Sequence, residues 1–298
     1  MANNFFDTLT SRINLQKKCR VVIPNGASKA VVFAITEAIR NNFISAILIG
    51  QTQEIKAILG DSVPNGNITF IEASSPQEAL DKAISMIKSG EADVLMKGTD
   101  NTSDFLTAIQ KESNTDSNNF VSHVCCFELP DNHGMHILSD SAINTAFDEE
   151  SMCKAIENAK IFFNRFEERA PKVALLAANE KVSDKMPATR LAQNVATTFA
   201  QRNDILVEGP VSFDLAICLK SAQIKKYKGK IQGDADIFMT AKKETANALY
   251  KSLQHYIKVK MGGIVLGAQC PIVLCSRSDN AETNYNSLLL ALYYWQKN

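Results

Sequence analysis

RVVIPNGAS, from Arg20 to Ser28, sets a β-branched apolar run directly before a polar turn, and a helical pattern opens behind it from Lys29 to Asn41. The same order then repeats. A strand from Ala46 to Gly50 leads into a helix from Gln53 to Leu59, and a strand from Ile68 to Glu72 into a helix from Pro76 to Ser89. A strand from Asp93 to Met96 completes the series. Strands alternating with helices of this length predict right-handed βαβ units and a parallel sheet, with a polar helix from Phe5 to Lys18 ahead of it. The turn Asn25-Gly26-Ala27-Ser28 lacks both phosphate-loop glycine patterns, so it reads as a plain strand-to-helix turn.

The fourth strand ends in Met96-Lys97-Gly98-Thr99. It places a cation at a strand's carboxyl end, with Gly98 allowing close backbone approach, and Asn101 to Asp104 cap a helix from Phe105 to Lys111. The plainer reading of Lys97 is a solvated lysine. ESNTDSNN, Glu112 to Asn119, is polar and turn-rich and reads as a linker. Beyond it the style changes: Phe120 to Glu128 and His136 to Ser139 are strands about the turn Pro130 to Gly134, an antiparallel flap. Further on come a helix from Glu149 to Phe166, a strand from Lys172 to Ala177 and a helix from Met186 to Gln201. A strand at Ile205 to Val207, a helical turn at Asp214 to Leu219 and an amphipathic helix from Asn247 to Lys260 follow.

Near the end, PIVLCSRSDNAE runs from Pro271 to Glu282. Pro271 to Cys275 is a short buried strand, and it stops at Ser276-Arg277 before a polar turn and a helix opening at Ala281. Ligands of open α/β sheets bind outside the carboxyl ends of strands, so this hydroxyl, guanidinium and carboxylate are placed for chemistry. Arg277 suits an oxyanion because its planar fork binds two oxygens and keeps its charge. The plainer reading makes Asp279 or Asn280 a helix cap and Arg277 a solvated charge.

The 298 residues, 45% of them hydrophobic, are enough for two domains. With 32 basic and 32 acidic residues there is no electrostatic footprint for nucleic acid or membrane, and no apolar run approaches the ~18 residues of a membrane span. Seven cysteines without C-x-x-C spacing, and no signal peptide, point to reduced thiols in the cytoplasm. His133-x-x-His136 lacks further ligands at metal spacing, so no metal site is expected.

ADVLMKG (Ala92 to Gly98), SHVCCFELP (Ser122 to Pro130), LSDSAIN (Leu138 to Asn144) and KVALLAANEKVSDKMPAT (Lys172 to Thr189) carry a resemblance in order along the chain. EGPVSFDLAI (Glu208 to Ile217), GDADI (Gly233 to Ile237), ANALYKSL (Ala246 to Leu253) and PIVLCSRSDNAET (Pro271 to Thr283) continue it. Together they resemble the phosphate acetyl/butyryl transferase family, and the phosphate butyryltransferase branch most.

That resemblance implies two α/β/α domains of mostly parallel sheets with a cleft between them, an isocitrate/isopropylmalate dehydrogenase-like architecture. The first domain would be residues 1–118 plus 262–298, and the second 119–261. The implied reaction is reversible transfer of a short acyl group, butyryl first, between coenzyme A and inorganic phosphate, with CoA as substrate and no tightly bound cofactor or metal. A phosphate acetyltransferase, an acyl-carrier-protein relative or an acyl-CoA-binding protein without turnover are the alternatives. A homo-oligomer in the cytoplasm is implied as well.

By family position Arg277 clamps phosphate, and Ser276 orients the thiol or the oxyanion through its side chain or its amide. Acetyl-specific relatives hold an aspartate where this chain has Thr283, which leaves Glu282 as the candidate base and Asp279 as organiser of the loop. Relatives in the butyryl branch hold a lysine where this chain has Asn284. Lys97 and Gly98 fit a phosphate or CoA contact, Asn179 and Lys185 border the cleft, and Asn247 and Lys251 share a helix face toward the acyl phosphate. Asp234 and Asp236 read as structural. The acyl pocket would take its walls from Phe127, Met186 and Leu274.

Overall fold

The computed structural model describes residues 5–26, 28–60, 66–113, 120–130, 134–276 and 278–297. The chain begins with α1 (Phe5–Arg12), β1 (Cys19–Pro24), α2 (Lys29–Arg40), β2 (Ile44–Gly50), α3 (Thr52–Leu59), β3 (Ile68–Glu72), α4 (Pro76–Lys88), β4 (Val94–Met96) and α5 (Thr102–Ser113). Then come β5 (Ser122–Glu128), β6 (Met135–Ser139), α6 (Glu149–Phe166), β7 (Lys172–Leu176), α7 (Pro187–Phe199) and β8 (Leu206–Val211). α8 (Phe213–Ile217), α9 (Leu219–Ile224), β9 (Ile237–Thr240) and α10 (Lys243–Ser252) follow, and β10 (Met261–Leu266), β11 (Ile272–Val273) and α11 (Ala281–Gln296) end it. The chain divides into two compact units, Met1–Val121 with Lys260–Asn298, and Ser122–Val259.

In the first unit the strands lie in the order β3-β2-β1-β4-β11-β10. β1 pairs in parallel with β2 and with β4, β2 with β3, and β4 with β11; β10 and β11 are antiparallel. Val21, Val22 and Ile23 are all fully buried, as expected of a strand covered on both faces. Helix starts are fixed locally. The Ser28 hydroxyl accepts from the Val31 amide at 3.3 Å, and Ser75 from Glu78 at 3.2 Å ahead of Pro76. α11 packs on α2, β10 and α1, and the Gln296 amide donates to the carbonyls of Asn14 and Lys17, both at 3.0 Å.

In the second unit the order is β5-β6-β9-β7-β8, with β5 and β6 antiparallel and the other pairs parallel. α6 opens on a reciprocal cap between Asp148 and Ser151. Asp236 ties the start of β9 to β7: its Oδ2 accepts from the Lys172 amide and from Arg169 Nη1, each at 2.8 Å. Asp234 meets the Lys172 ammonium.

Several expected elements are corrected. α1 stops at Arg12, six residues before Lys18, because the chain turns there through the Ile13 to Thr10 bond toward β1. β5 and β6 are not a flap; every residue of both is buried, and β6 pairs in parallel with β9, which makes them core strands. The helix expected from Asn247 begins at Lys243 and closes in a wider turn at Leu253–Ile257, where Lys258 adopts a left-handed φ of 57°. β10 has no counterpart in the sequence reading, since Gly262 and Gly263 depress strand preference. The glycine at 262 is needed there: a Cβ would lie 2.8 Å from the Ser287 amide. The expected linker lies outside the described residues from 114 to 119, and so does His133.

Candidate functional site

The carboxyl ends of β1, β4 and β11 bring three short segments together in the first unit. Gly98, just past β4, lies so close to the β1 turn that a Cβ there would sit 2.1 Å from the Pro24 carbonyl and 2.5 Å from that of Gly26. Asn25 and Gly26 accommodate this with φ of 56° and 65°. The Thr99 amide donates to the Asn25 carbonyl at 3.4 Å. Asn25 Nδ2 in turn donates to the Pro76 carbonyl at 3.0 Å and to Asp100 Oδ1.

Lys97 is 5% exposed, so the solvated reading does not hold. Its amide donates to the Val273 carbonyl at 3.0 Å, which locks β4 and β11 in register, and its ammonium lies 3.3 Å from the Gly98 carbonyl. Asp100 is 7% exposed, and its Oδ2 is buried without a hydrogen-bond partner among the described residues. Burial holds the Asp100 carboxyl above its ordinary value, although Asn25 and Lys97 favour the charged form.

After β11 the chain peels away, so the strand is two residues long rather than five. Asp279, buried, closes the loop: its Oδ2 accepts from the Ser276 amide at 2.7 Å and its own amide donates to the Ser276 carbonyl at 3.0 Å. The Ser276 amide is thereby taken, and only the exposed Ser276 hydroxyl, 3.1 Å from that of Ser278, faces outward. Arg277 lies outside the described residues. Asn280 caps α11 by accepting from the Thr283 amide at 2.7 Å. Glu282 is exposed on the first turn of α11, whereas Thr283 and Asn284 are buried. Burial, with Asp279 adding to it, pushes the Cys275 thiol up to about 12, so it is no nucleophile at neutral pH. All seven cysteines are unpaired thiols.

The remaining expected residues lie in the second unit. Asn179 Oδ1 accepts from the Lys181 amide at 2.9 Å, and its Nδ2 lies 4.0 Å from Met186 Sδ. Lys185 is exposed. Asn247 Nδ2 donates to the Ser141 carbonyl at 3.1 Å, while the Lys251 ammonium reaches Gln254 at 3.2 Å and lies over the Tyr250 ring. The carboxyl ends of β7 and β9, with the starts of α6, α7 and α10, enclose a cavity of about 990 Å³ walled by Phe147, Leu176, Met186, Phe213 and Leu249. Met186 is thus the one expected pocket wall that lines it. Phe127 is stacked on His136 in the core, and Leu274 is buried in the first unit. Sequence reading missed both Asp100 and this cavity. A carboxylate three residues past a strand-end lysine was the available signal for the first.

Residues 65–292 match the family described as "Phosphate acetyl/butaryl transferase". The chain is 32% identical to a phosphate butyryltransferase of Clostridium beijerinckii, covering 98% of this chain and 97% of that one. It is 31% identical to a phosphate acetyltransferase of Thermotoga maritima, over 89% of this chain and 91% of the other. A branched-chain phosphotransacylase from Enterococcus faecalis superposes with a TM-score of 0.83 at 30% identity, covering 93% of this chain and 99% of that structure.

Proposed function

From membership of the phosphate acetyl/butyryl transferase family, to which this chain belongs, we propose that it exchanges a short acyl group between coenzyme A and inorganic phosphate, butyryl or a branched equivalent. The observation that carries this reading is the loop of Ser276 and Asp279, held in register beside the buried Lys97 at adjacent strand ends. A phosphate oxygen attacks the thioester carbonyl, the carbon–sulfur bond breaks, and acyl phosphate and CoA result. Arg277 grips the phosphate and Lys97 adds a second positive charge. Because its amide serves Asp279, Ser276 acts through its hydroxyl, on the thiol or on the developing oxyanion.

Asp279 organises this loop. In the second unit, Met186 and the apolar cavity receive the acyl chain, with Asn179 at their edge, and Lys185, Asn247 and Lys251 contact the CoA or phosphate ends. CoA is a substrate and no cofactor is held tightly. Among the described residues no helix is long and apolar enough to cross a membrane, and a cytoplasmic homo-oligomer completes the proposal.

The test is a coupled assay of CoA release from butyryl-CoA and phosphate, beside Arg277→Ala. The variant loses at least about a hundredfold in kcat/KM, corresponding to about 3 kcal/mol of transition-state stabilisation. Equal activity in both would remove the role of Arg277. No release by either, with butyryl-CoA still bound, would leave a binding protein. A panel from acetyl- to isovaleryl-CoA ranks the acyl groups.

A further inference from the structure

Acyl transfer between sulfur and phosphate moves one proton, and neither Glu282, the base that sequence reading offered, nor its neighbour Asp279 is well placed to carry it. Asp279 is bound to the Ser276 amide, and Glu282 stands exposed on the first turn of α11. Asp100 differs from both. It is 7% exposed, one oxygen is held by Asn25, and the other is buried with no donor among the described residues. An orphaned buried carboxyl oxygen in a folded protein calls for an explanation, and catalysis is a recognised one.

Its place in the fold supports that explanation. The order β3-β2-β1-β4 reverses direction between β1 and β4, and ligands of open α/β sheets bind in the crevice at such a reversal. Asp100 follows β4 there, against the Asn25 turn of β1. Met96 is opposite Val273, so Thr99 and Ser276 each lie three residues past the same rung of adjacent parallel strands.

We propose, on the reading of the site as a phosphate acyltransferase, that Asp100 is the proton carrier of the reaction. From acyl-CoA, the phosphate oxygen–carbon bond forms and the carbon–sulfur bond breaks with its electron pair leaving on sulfur. The Asp100 carboxylate takes the phosphate hydroxyl proton as the first bond forms and gives it to the departing sulfur. In reverse, the Asp100 carboxylate takes the CoA thiol proton, sulfur attacks the acyl phosphate, and the departing phosphate oxygen receives the proton. Asp100 is unchanged over either cycle.

Burial raises the Asp100 carboxyl, which makes its carboxylate a stronger base than an exposed one. Around it, the β1 turn and the start of α4 present the neutral Asn25 and Pro76 carbonyl. On its own strand end Lys97 is the charge that acts on it; Lys97 also acts on Cys275, on the β11 side, where Asp279 stands.

The experiment follows acyl phosphate plus CoA from pH 6 to 9 in the unaltered protein and in Asp100→Asn. Without the carrier the reaction depends on thiolate already present. The variant is expected to lose about a hundredfold at pH 6.5 and to climb about tenfold per pH unit toward the thiol's value of about 8.5, closing on the unaltered protein. Asp100→Glu restores part of the rate at low pH. Parallel pH profiles, or no loss, overturn the proposal. If Asp100→Asn does not fold, the unaltered protein decides: a flat profile below pH 8 supports an enzyme-borne base, and a tenfold climb per unit refutes one. Absence of turnover by the unaltered protein in both directions would end the underlying functional reading instead.

Discussion

Both units end their parallel strands in functional-looking ground, and they furnish it oppositely. In the first unit the ends of β1, β4 and β11 bring together buried polar groups, Lys97, Asp100 and Asp279, held by the Gly98 carbonyl, the Asn25 side chain and the Ser276 amide respectively. In the second, the ends of β7 and β9 open on an apolar cavity of about 990 Å³. The same architecture therefore serves charge at one place and volume at the other. Rigid backbone is required where charges must be held, and side-chain walls suffice where apolar volume is offered.

That contrast is testable by filling space. Gly98→Ala drives a Cβ to 2.1 Å from a carbonyl oxygen, which backbone cannot yield, so unfolding stability in urea should fall by about 3 kcal/mol. Gly209→Ala in the second unit brings a Cβ to 2.6 Å from Leu175 Cβ, a smaller overlap than at Gly98 although that atom moves only with its strand, and about 2 kcal/mol is expected in the same measurement. Equal losses would break the comparison. Met186→Trp, which narrows the cavity, should lower kcat/KM for butyryl-CoA about tenfold more than for acetyl-CoA.

The smallest effect concerns acid titration, where one carboxyl from each unit is shifted in the opposite sense to the other. Glu180 in the second unit is held below its ordinary value, chiefly by the Ser212 hydroxyl at 2.6 Å, with Lys225 contributing. Its stabilisation is present above the unfolded value and is lost as pH falls through the folded one. Glu180→Gln should therefore cost about 0.5 kcal/mol at pH 7 and progressively nothing in acid. Asp100 is raised, so the folded state holds its proton more firmly than the unfolded chain. Its ionisation erodes stability as pH rises from about 4 to the folded value. Asp100→Asn should gain stability relative to the unaltered protein over that rise, read from urea midpoints at stepped pH.

Much of the parallel framework was legible, because runs such as Val21 to Ile23 are apolar on both faces and are separated by capped amphipathic helices. What escaped depended on partners distant in sequence. β10 is a strand by virtue of β11 and α11, against the preference of its two glycines. β5 and β6 looked like a hairpin excursion until β9 was found beside β6. Lys97 announces its position at a strand end but not its burial, which comes from the neighbouring strand. Asp100 looked like one polar residue among several before a helix, and only the Asn25 turn distinguishes it.

The first unit is assembled from stretches at opposite extremes of the polypeptide, with β11 inserted between β4 and β10. On a ribosome, the segment Ser122–Val259 can reach its native arrangement while the earlier α/β layers still lack their last two strands and covering helix. The backbone bond from Lys97 to Val273 can therefore close only after translation has passed Val273.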